Sequence, residues 1–280
     1  QGLVFSKTSF QLAKISPETP RAIYFNDDVY LGYVHDGDVM EVSSVDPERG
    51  GMFYTLEQKR VEKPRFERRF ECLQCHSSPS TTGMPGHLVR SVYSDAQGFP
   101  MTNIGSFVTD HRSDFREKWG GWYVSGTHGA ARHMGNVISK DPKKPELIDR
   151  EAGANLTTLP KHIDISRYLD KNSDIVALMV LEHQTKMHNL ITRAGFEVRS
   201  AMLLQSEMNK TLKRPPEEIS ESNLRRIYNS AEILVRYAMF ADEPALQSPV
   251  RGTSAFTREF AAQGPKDKQG RGVREFEILD

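Results

Sequence analysis

Residues 22–34 read Ala-Ile-Tyr-Phe-Asn-Asp-Asp-Val-Tyr-Leu-Gly-Tyr-Val, and this stretch sets the architecture of the N-terminal part. Ala22–Phe25 and Val29–Val34 are rich in aromatic and β-branched residues, which favour strands. The polar triplet Asn26-Asp27-Asp28 between them is typical of a tight turn. The stretch therefore predicts a β-hairpin.

Strand-like runs extend on both sides of this hairpin to about residue 70. Val39–Val42 and Met52–Leu56 have the same aromatic and β-branched character, and Pro47–Gly51 supplies a turn between them. We therefore predict a β-rich N-terminal region over residues 1–70.

The next region, residues 71–165, lacks long periodic segments. Gly, Pro, Ser and Thr recur every few residues, and no helical period lasts more than about two turns. A loop-rich stretch of this length needs a core of its own, and a large cofactor would supply one. We predict that this region binds the cofactor.

Residues 166–280 are predicted to be helical. One apolar stripe at three- and four-residue spacing covers Ser173–Lys210, and a second begins near Ser220 or Ser222, after Pro215-Pro216. Two such stripes indicate an antiparallel helix pair. The fold class is thus α+β, with the three regions expected to form one compact unit. The apolar Phe276–Leu279 suggests that the natural chain extends beyond Asp280.

Charge and hydropathy argue against nucleic-acid binding and against a membrane-spanning segment. The chain of 280 residues has 37 basic and 37 acidic side chains, whereas nucleic-acid binding favours a basic excess. The longest apolar run, Ile175–Leu181, is far shorter than the roughly 18 residues that span a bilayer. We expect neither a nucleic-acid partner nor a transmembrane segment. The start at Gln1 shows no signal-peptide pattern, as in a processed mature protein.

The chain contains two cysteines, Cys72 and Cys75, in the sequence Cys-Leu-Gln-Cys-His that ends at His76. Two thiols one helical turn apart can reach both vinyl groups of one haem, and the adjacent imidazole can then ligate the iron.

This motif resembles the haem-attachment motif of c-type cytochromes, and the resemblance covers these five residues only. It implies one covalent haem c, with Cys72 and Cys75 as its anchors and His76 as the proximal iron ligand. About 70 residues precede the motif and about 200 follow it, so the small helical fold of soluble cytochromes is not implied.

Two other interpretations of the cysteine pair are open. A redox dithiol is expected to have a strand before the motif and a long helix after it, yet Ser77–Gly86 contains two prolines and cannot continue as a helix. A structural zinc site needs further ligands, usually a second Cys or His pair.

Residues 119–135 are the densest cluster of candidate cofactor contacts. Trp119 and Trp122 could form walls of a porphyrin site, and Arg132 could pair with a haem propionate. If the protein is an enzyme, His128, Arg132 and His133 are the predicted catalytic groups, because a distal histidine and arginine assist cleavage of a peroxide bond.

The sixth coordination position of the iron distinguishes two functions. A position filled by a protein ligand favours electron transfer, and an open position favours catalysis. His183, on the apolar stripe of the first long helix, and Met101, in a loop, are candidates. A core histidine is the alternative interpretation of His183.

These observations predict a periplasmic mono-haem c-type cytochrome that transfers electrons to a redox partner protein, either on its own or as a subunit of a membrane complex. Covalent haem c is attached outside the cytoplasm, so the resemblance implies an extracytoplasmic location and a removed signal peptide. The alternative is a peroxidase-like or other small-substrate haem enzyme with an open distal site, and a non-haem dithiol or structural protein is a third hypothesis.

Overall fold

The computed structural model describes residues 1–263 apart from 142, 145, 146 and 162, together with residues 266 and 268–270. The apolar end segment Phe276–Leu279 lies outside the described residues. The strands are Gly2–Val4 (β1), Arg21–Phe25 (β2), Val29–Tyr33 (β3), Val39–Asp46 (β4), Gly50–Glu57 (β5), Glu67–Arg68 (β6), Val89–Val92 (β7), Ser94–Asp95 (β8), Ser106–Thr109 (β9), Trp122–Tyr123 (β10) and Ile138–Ser139 (β11). The α-helices of the same residues are Leu73–His76 (α1), Ile175–Leu212 (α2), Glu221–Ala238 (α3) and Ala255–Ala262 (α4).

The largest sheet has seven antiparallel strands in the order β10-β1-β2-β3-β4-β5-β6. Its β2–β3 hairpin is the predicted one, with Phe25 opposite Tyr30. Asn26 closes the turn because its Oδ1 atom accepts hydrogen bonds from the backbone nitrogens of Asp28 (3.0 Å) and Val29 (2.8 Å). The predicted strands of residues 1–70 are confirmed.

The middle region is largely irregular, as predicted, and it adds β10 to the edge of the same sheet. Two small sheets, β7–β9 antiparallel and β8–β11 parallel, provide its other regular strands among the described residues.

Helices α2 and α3 form the predicted antiparallel pair. Asp174 caps α2 by accepting a hydrogen bond from the backbone nitrogen of Val176 at 2.8 Å, and Ser220 caps α3. Along the pair, Arg226 forms an ion pair with Glu197, and the Tyr237 hydroxyl donates to the carbonyl of His183 at 3.3 Å. The α+β class is therefore confirmed.

The main core lies where the sheet meets the first turns of α2. Trp119, Trp122, Ile175 and Leu178 are all buried there. The predicted apolar stripe of α2 is only partly buried, because polar residues such as Glu182 occupy part of the inward face. Among the described residues, no helix combines the length and apolar character that crossing a bilayer requires.

Candidate functional site

The five motif residues fold into one helical turn. Cys72 is the N-terminal cap of α1, and its carbonyl accepts hydrogen bonds from the backbone nitrogens of Cys75 (3.2 Å) and His76 (2.9 Å). Residues three apart lie on the same side of such a turn. Both thiols are free, with Cys72 half-buried and Cys75 exposed, so a planar group could be bonded to both.

His76 is held in the orientation that a metal ligand needs. Its Nδ1 atom lies 2.9 Å from the carbonyl oxygen of Gly86, so this nitrogen carries the proton and donates it. The lone pair is then on Nε2. Burial is the largest influence on this imidazole and lowers the pKa of His76, which favours the neutral form that binds metals.

The main chain between His76 and Gly86 is a closed loop. The backbone nitrogen of Gly86 donates to the carbonyl of His76 at 2.8 Å. The same two residues are thus joined twice, since the His76 side chain donates to the Gly86 carbonyl. Within the loop, Ser78 and Thr81 form a capping box around the short turn Pro79–Thr81. Helix α1 ends at His76, as the following prolines predicted.

Helix α2 fixes this loop from the other side through Asn189. The Oδ1 atom of Asn189 accepts from the backbone nitrogen of His87 at 2.9 Å, and Nδ2 donates to the His87 carbonyl at 2.6 Å. A side chain at Gly86 would place its Cβ 2.0 Å from Oδ1 of Asn189. The site therefore requires glycine at this position for close packing.

The imidazole of His76 packs on one face of the large sheet. Its ring centre is 4.7 Å from that of Phe53 in β5 and 6.4 Å from that of His87. The Nε2 atom of His87 is 2.8 Å from the Ser43 hydroxyl, whereas its buried Nδ1 has no hydrogen-bond partner. Burial lowers the pKa of His87 to about 3, so this second histidine is neutral.

Arginines and exposed phenylalanines lie near the motif in the sheet or in the segment that precedes it. Arg69 donates to Thr55 at 2.8 Å and pairs with Glu67 at 2.9 Å, and Arg21 pairs with Glu41 in β4. Phe66 and Phe70, just before the motif, are each 62% exposed.

These residues fit a covalently attached haem. The chain offers two free thiols on one turn, an oriented neutral imidazole beside them and aromatic rings nearby. In contrast, burial raises the pKa of the Cys72 thiol, whereas reactive dithiols have a lowered thiol pKa. Among the described residues, no cluster of three or more His, Cys, Asp or Glu side chains suggests a metal ion site.

The two predicted tryptophan contacts lie in the main core. Trp119 is fully buried, with ring contacts to Phe115 and His133 at 5.4 Å. Trp122 is in β10, and its Nε1 atom donates to the carbonyl of Arg90 at 2.8 Å. Their role as haem contacts stays a prediction.

The structure brings His128 and His133 together but gives Arg132 other partners. The two imidazole centres are 4.7 Å apart. Both nitrogens of His128 are engaged, Nδ1 with the Ala131 carbonyl and Nε2 with the backbone nitrogen of Asn155. Arg132 forms an ion pair with Glu151 at 2.6 Å. The catalytic and propionate-pairing roles predicted for these residues remain untested.

The two candidates for the sixth ligand also have defined surroundings. Met101 is buried in a cluster with Tyr93, Met134 and Val137. The Nδ1 atom of His183 is 2.9 Å from Nδ1 of His111, so its partner is a side chain rather than the backbone. The ligand roles of Met101 and His183 stay predictions.

Several site residues were not predicted from the sequence. Gly86 contributes a carbonyl, Phe53 a ring and Asn189 an amide. Gly86 has no side chain to mark it, and Phe53 and Asn189 are distant from the motif in sequence. The one feature of the sequence that could have pointed to Gly86 is the run Gly-Met-Pro-Gly-His, residues 83–87, because haem attachment itself does not require it.

Comparison of the chain with known protein families, curated proteins and solved structures finds no match. The residues of the site therefore carry the functional argument.

Proposed function

We propose that this chain is a mono-haem c-type electron-transfer protein. One observation carries the proposal: the Cys-x-x-Cys-His motif forms a single helical turn with two free thiols and an oriented imidazole. The hydrogen bond from His76 Nδ1 to the Gly86 carbonyl keeps the proton on Nδ1 and leaves the lone pair on Nε2. This is the arrangement that covalent attachment and axial ligation of one haem need.

Each part of the site has a distinct task. Cys72 and Cys75 would hold the haem through thioether bonds, and Nε2 of His76 would ligate the iron. When bound, the haem supplies a one-electron redox centre. The Gly86 carbonyl keeps the imidazole in one tautomer and raises its basicity, and Phe53 limits its rotation.

Arg21 and Arg69 are cations near the motif, and each is paired with a glutamate, Arg21 with Glu41 and Arg69 with Glu67, which it would have to share in order to neutralise a haem carboxylate. Arg21 influences the pKa of His76, and Arg69 that of Cys72, which places both close to the site. The Nε atom of Arg21 is buried and has no hydrogen-bond partner, so this guanidinium retains a donor.

The compartment and the partner follow from the same proposal. Thioether attachment takes place outside the cytoplasm, so we propose an extracytoplasmic protein that passes electrons to a redox partner protein, within or outside a membrane complex. The peroxidase-like alternative has less support, because Arg132 is paired with Glu151 and both ring nitrogens of His128 have backbone partners.

The proposal is tested by the visible spectrum of the reduced protein, produced in a host that attaches haem c. We expect the sharp bands of a haem c. We also expect His76→Ala to change the bands and to open an iron position to carbon monoxide, because the proximal imidazole is lost. His35→Ala is the matched control, since His35 lies in the turn after β3. Identical spectra for the wild type and His76→Ala would contradict the proposal.

A further inference from the structure

A large cavity lies apart from the cysteine motif, between α2, α4 and the segment that follows α3. Its volume of about 930 Å³ is near the upper end of the roughly 300–1,000 Å³ typical of small-molecule sites, which suits a large ligand. Cys72, Cys75 and His76 are not among the residues that line it. A ligand bound here would therefore be separate from a haem attached to the motif.

The walls of the cavity are mainly apolar, and one side is open to solvent. The lining includes aromatic and methionine side chains, namely Phe25, Phe115, Met179, Met187, Phe240 and Phe256. Rings and thioethers of this kind pack well against a flat ring system. Met239 also lines the cavity and is 75% exposed, so the carboxylates of a ligand at this side would remain in water.

His183 of α2 lines the cavity with one of its ring nitrogens unbonded. Its Nδ1 atom is 2.9 Å from Nδ1 of His111, whereas its Nε2 atom is accessible and has no hydrogen-bond partner within the described part of the chain. The imidazole stacks on Tyr237 and on Phe240, with ring centres 4.9 Å and 4.3 Å away. These contacts fix the ring and leave Nε2 as its free edge.

Hydrogen bonds assign the protons of the histidine pair. Burial lowers the pKa of His111, and a hydrogen bond to the backbone of Ala241 opposes this effect, so the Ala241 carbonyl accepts a proton from His111. Because Nδ1 of His111 faces His183, the nitrogen that donates to Ala241 is Nε2, and Nδ1 of His111 has the lone pair. Nδ1 of His183 therefore donates to His111, and the lone pair of His183 is on Nε2.

This state of His183 is the one that histidine metal ligands adopt. Burial lowers the pKa of His183 to about 4, so the imidazole is neutral at pH 7. A ligating histidine usually donates its other ring proton to a fixed acceptor, as His183 does to His111. Within the described part of the chain, no cluster of three or more His, Cys, Asp or Glu side chains could hold a bare ion. A metal at His183 would therefore have to bring its own equatorial ligands, as the iron of a haem does.

From these observations we infer that the cavity binds a second haem without covalent attachment, and that Nε2 of His183 is the axial ligand of its iron. The porphyrin would lie between the aromatic and methionine walls, with its carboxylates at the open side near Met239. The inference goes beyond the proposed function and does not depend on it, because none of these residues belongs to the cysteine motif. It also leaves the sixth position of a covalent haem at His76 to a residue other than His183.

Titration with iron(III) protoporphyrin IX, followed by the visible absorbance of the bound haem, tests this inference. The full chain is measured with covalent haem attached and as the Cys72→Ser/Cys75→Ser/His76→Ala variant, in which the motif can hold no haem. Failure of covalent attachment therefore leaves the result for the cavity readable. We expect saturation at one added haem per chain in both proteins. We also expect His183→Ala to raise the Kd about a hundredfold, and imidazole in solution to restore the spectrum by replacing the lost ligand.

A second variant keeps the test valid if His183→Ala fails to fold. Val180 lies on α2 in the cavity wall, and Val180→Trp is expected to abolish binding by filling the space. Val198→Trp makes the same change elsewhere on α2 and is expected to leave the Kd unchanged. The inference is overturned if the variant without the motif binds no haem, if His183→Ala or Val180→Trp binds haem as tightly as its parent, or if iron-free protoporphyrin IX binds as tightly as haem.

Discussion

Asn189 of α2 holds the main chain of His87 at both of its polar atoms, with distances of 2.9 Å to the nitrogen and 2.6 Å to the oxygen. These residues are 102 positions apart. The clamp joins the C-terminal helical region to the loop that carries the Gly86 carbonyl. Through this carbonyl, the helix determines the orientation of His76.

Removal of the clamp should destabilise the protein strongly. Asn189→Ala leaves a buried donor and a buried acceptor without partners, at about 1–3 kcal/mol each. We expect the free energy of unfolding in urea to fall by about 2–6 kcal/mol. Asn103→Ala, at an exposed asparagine, should change it by less than about 0.5 kcal/mol. Equal effects of the two substitutions would show that the clamp contributes nothing.

Two glycine-to-alanine substitutions should act in opposite directions. The new Cβ of Gly86→Ala would lie 2.0 Å from Asn189 Oδ1, and we expect a loss of about 1–3 kcal/mol in unfolding free energy. Gly195→Ala, within α2, meets only the flexible end of Arg199 at 3.1 Å and should gain about 0.5–1 kcal/mol. Thermal unfolding of both variants tests this, and a stabilised Gly86→Ala would disprove the close packing.

The buried pair of Lys118 and Glu182 should show strong coupling. Burial raises the pKa of Glu182, and Lys118 and Thr109 oppose this rise. Lys118→Met leaves an uncompensated buried carboxylate and should cost about 3–5 kcal/mol, whereas the double substitution with Glu182→Met should recover much of the loss. A double-mutant cycle by urea unfolding measures the coupling. The exposed pair of Arg225 and Glu221 is the control, with an expected coupling below about 0.5 kcal/mol.

Acid should destabilise the protein through His133. Burial lowers the pKa of His133 to about 3, below its unfolded value of about 6.5. The unfolded chain therefore takes up this proton first as the pH falls. Between pH 6.5 and about 3, His133 should reduce the free energy of unfolding by about 1.4 kcal/mol per pH unit, and above pH 6.5 it should contribute nothing.

The His133→Gln variant isolates this contribution. Its unfolding free energy, measured by urea titration from pH 7 to pH 4, should decline less steeply than that of the wild type by about 1.4 kcal/mol per pH unit. Parallel pH profiles for the two proteins would show that His133 does not titrate on unfolding.

The sequence was sufficient for the parts of the fold that depend on local patterns. The β2–β3 hairpin follows from its aromatic strands and the Asn26 turn, α2 follows from its periodicity, and α3 follows from its periodicity and its Ser220 cap. The inward position of Glu182 and Asn189 could not be predicted, because each is buried only by virtue of partners that are distant in sequence, Lys118 and His87.

The candidate site was predictable only in its chemistry. Cys72, Cys75 and His76 were identified because their spacing has a direct chemical meaning. The carbonyl of Gly86 gives no signal in the sequence, since every residue has such a group. The pairing of His183 with His111 was also not foreseen, because it depends on how α2 packs against the loop after β9.

The intact mass of the denatured protein tests the central claim most directly, because only a covalent haem survives denaturation. The wild type, produced with haem c attachment, should carry the added mass of one haem, and Cys72→Ser/Cys75→Ser should show the mass of the polypeptide alone. A wild-type mass equal to that of the bare polypeptide would contradict the account.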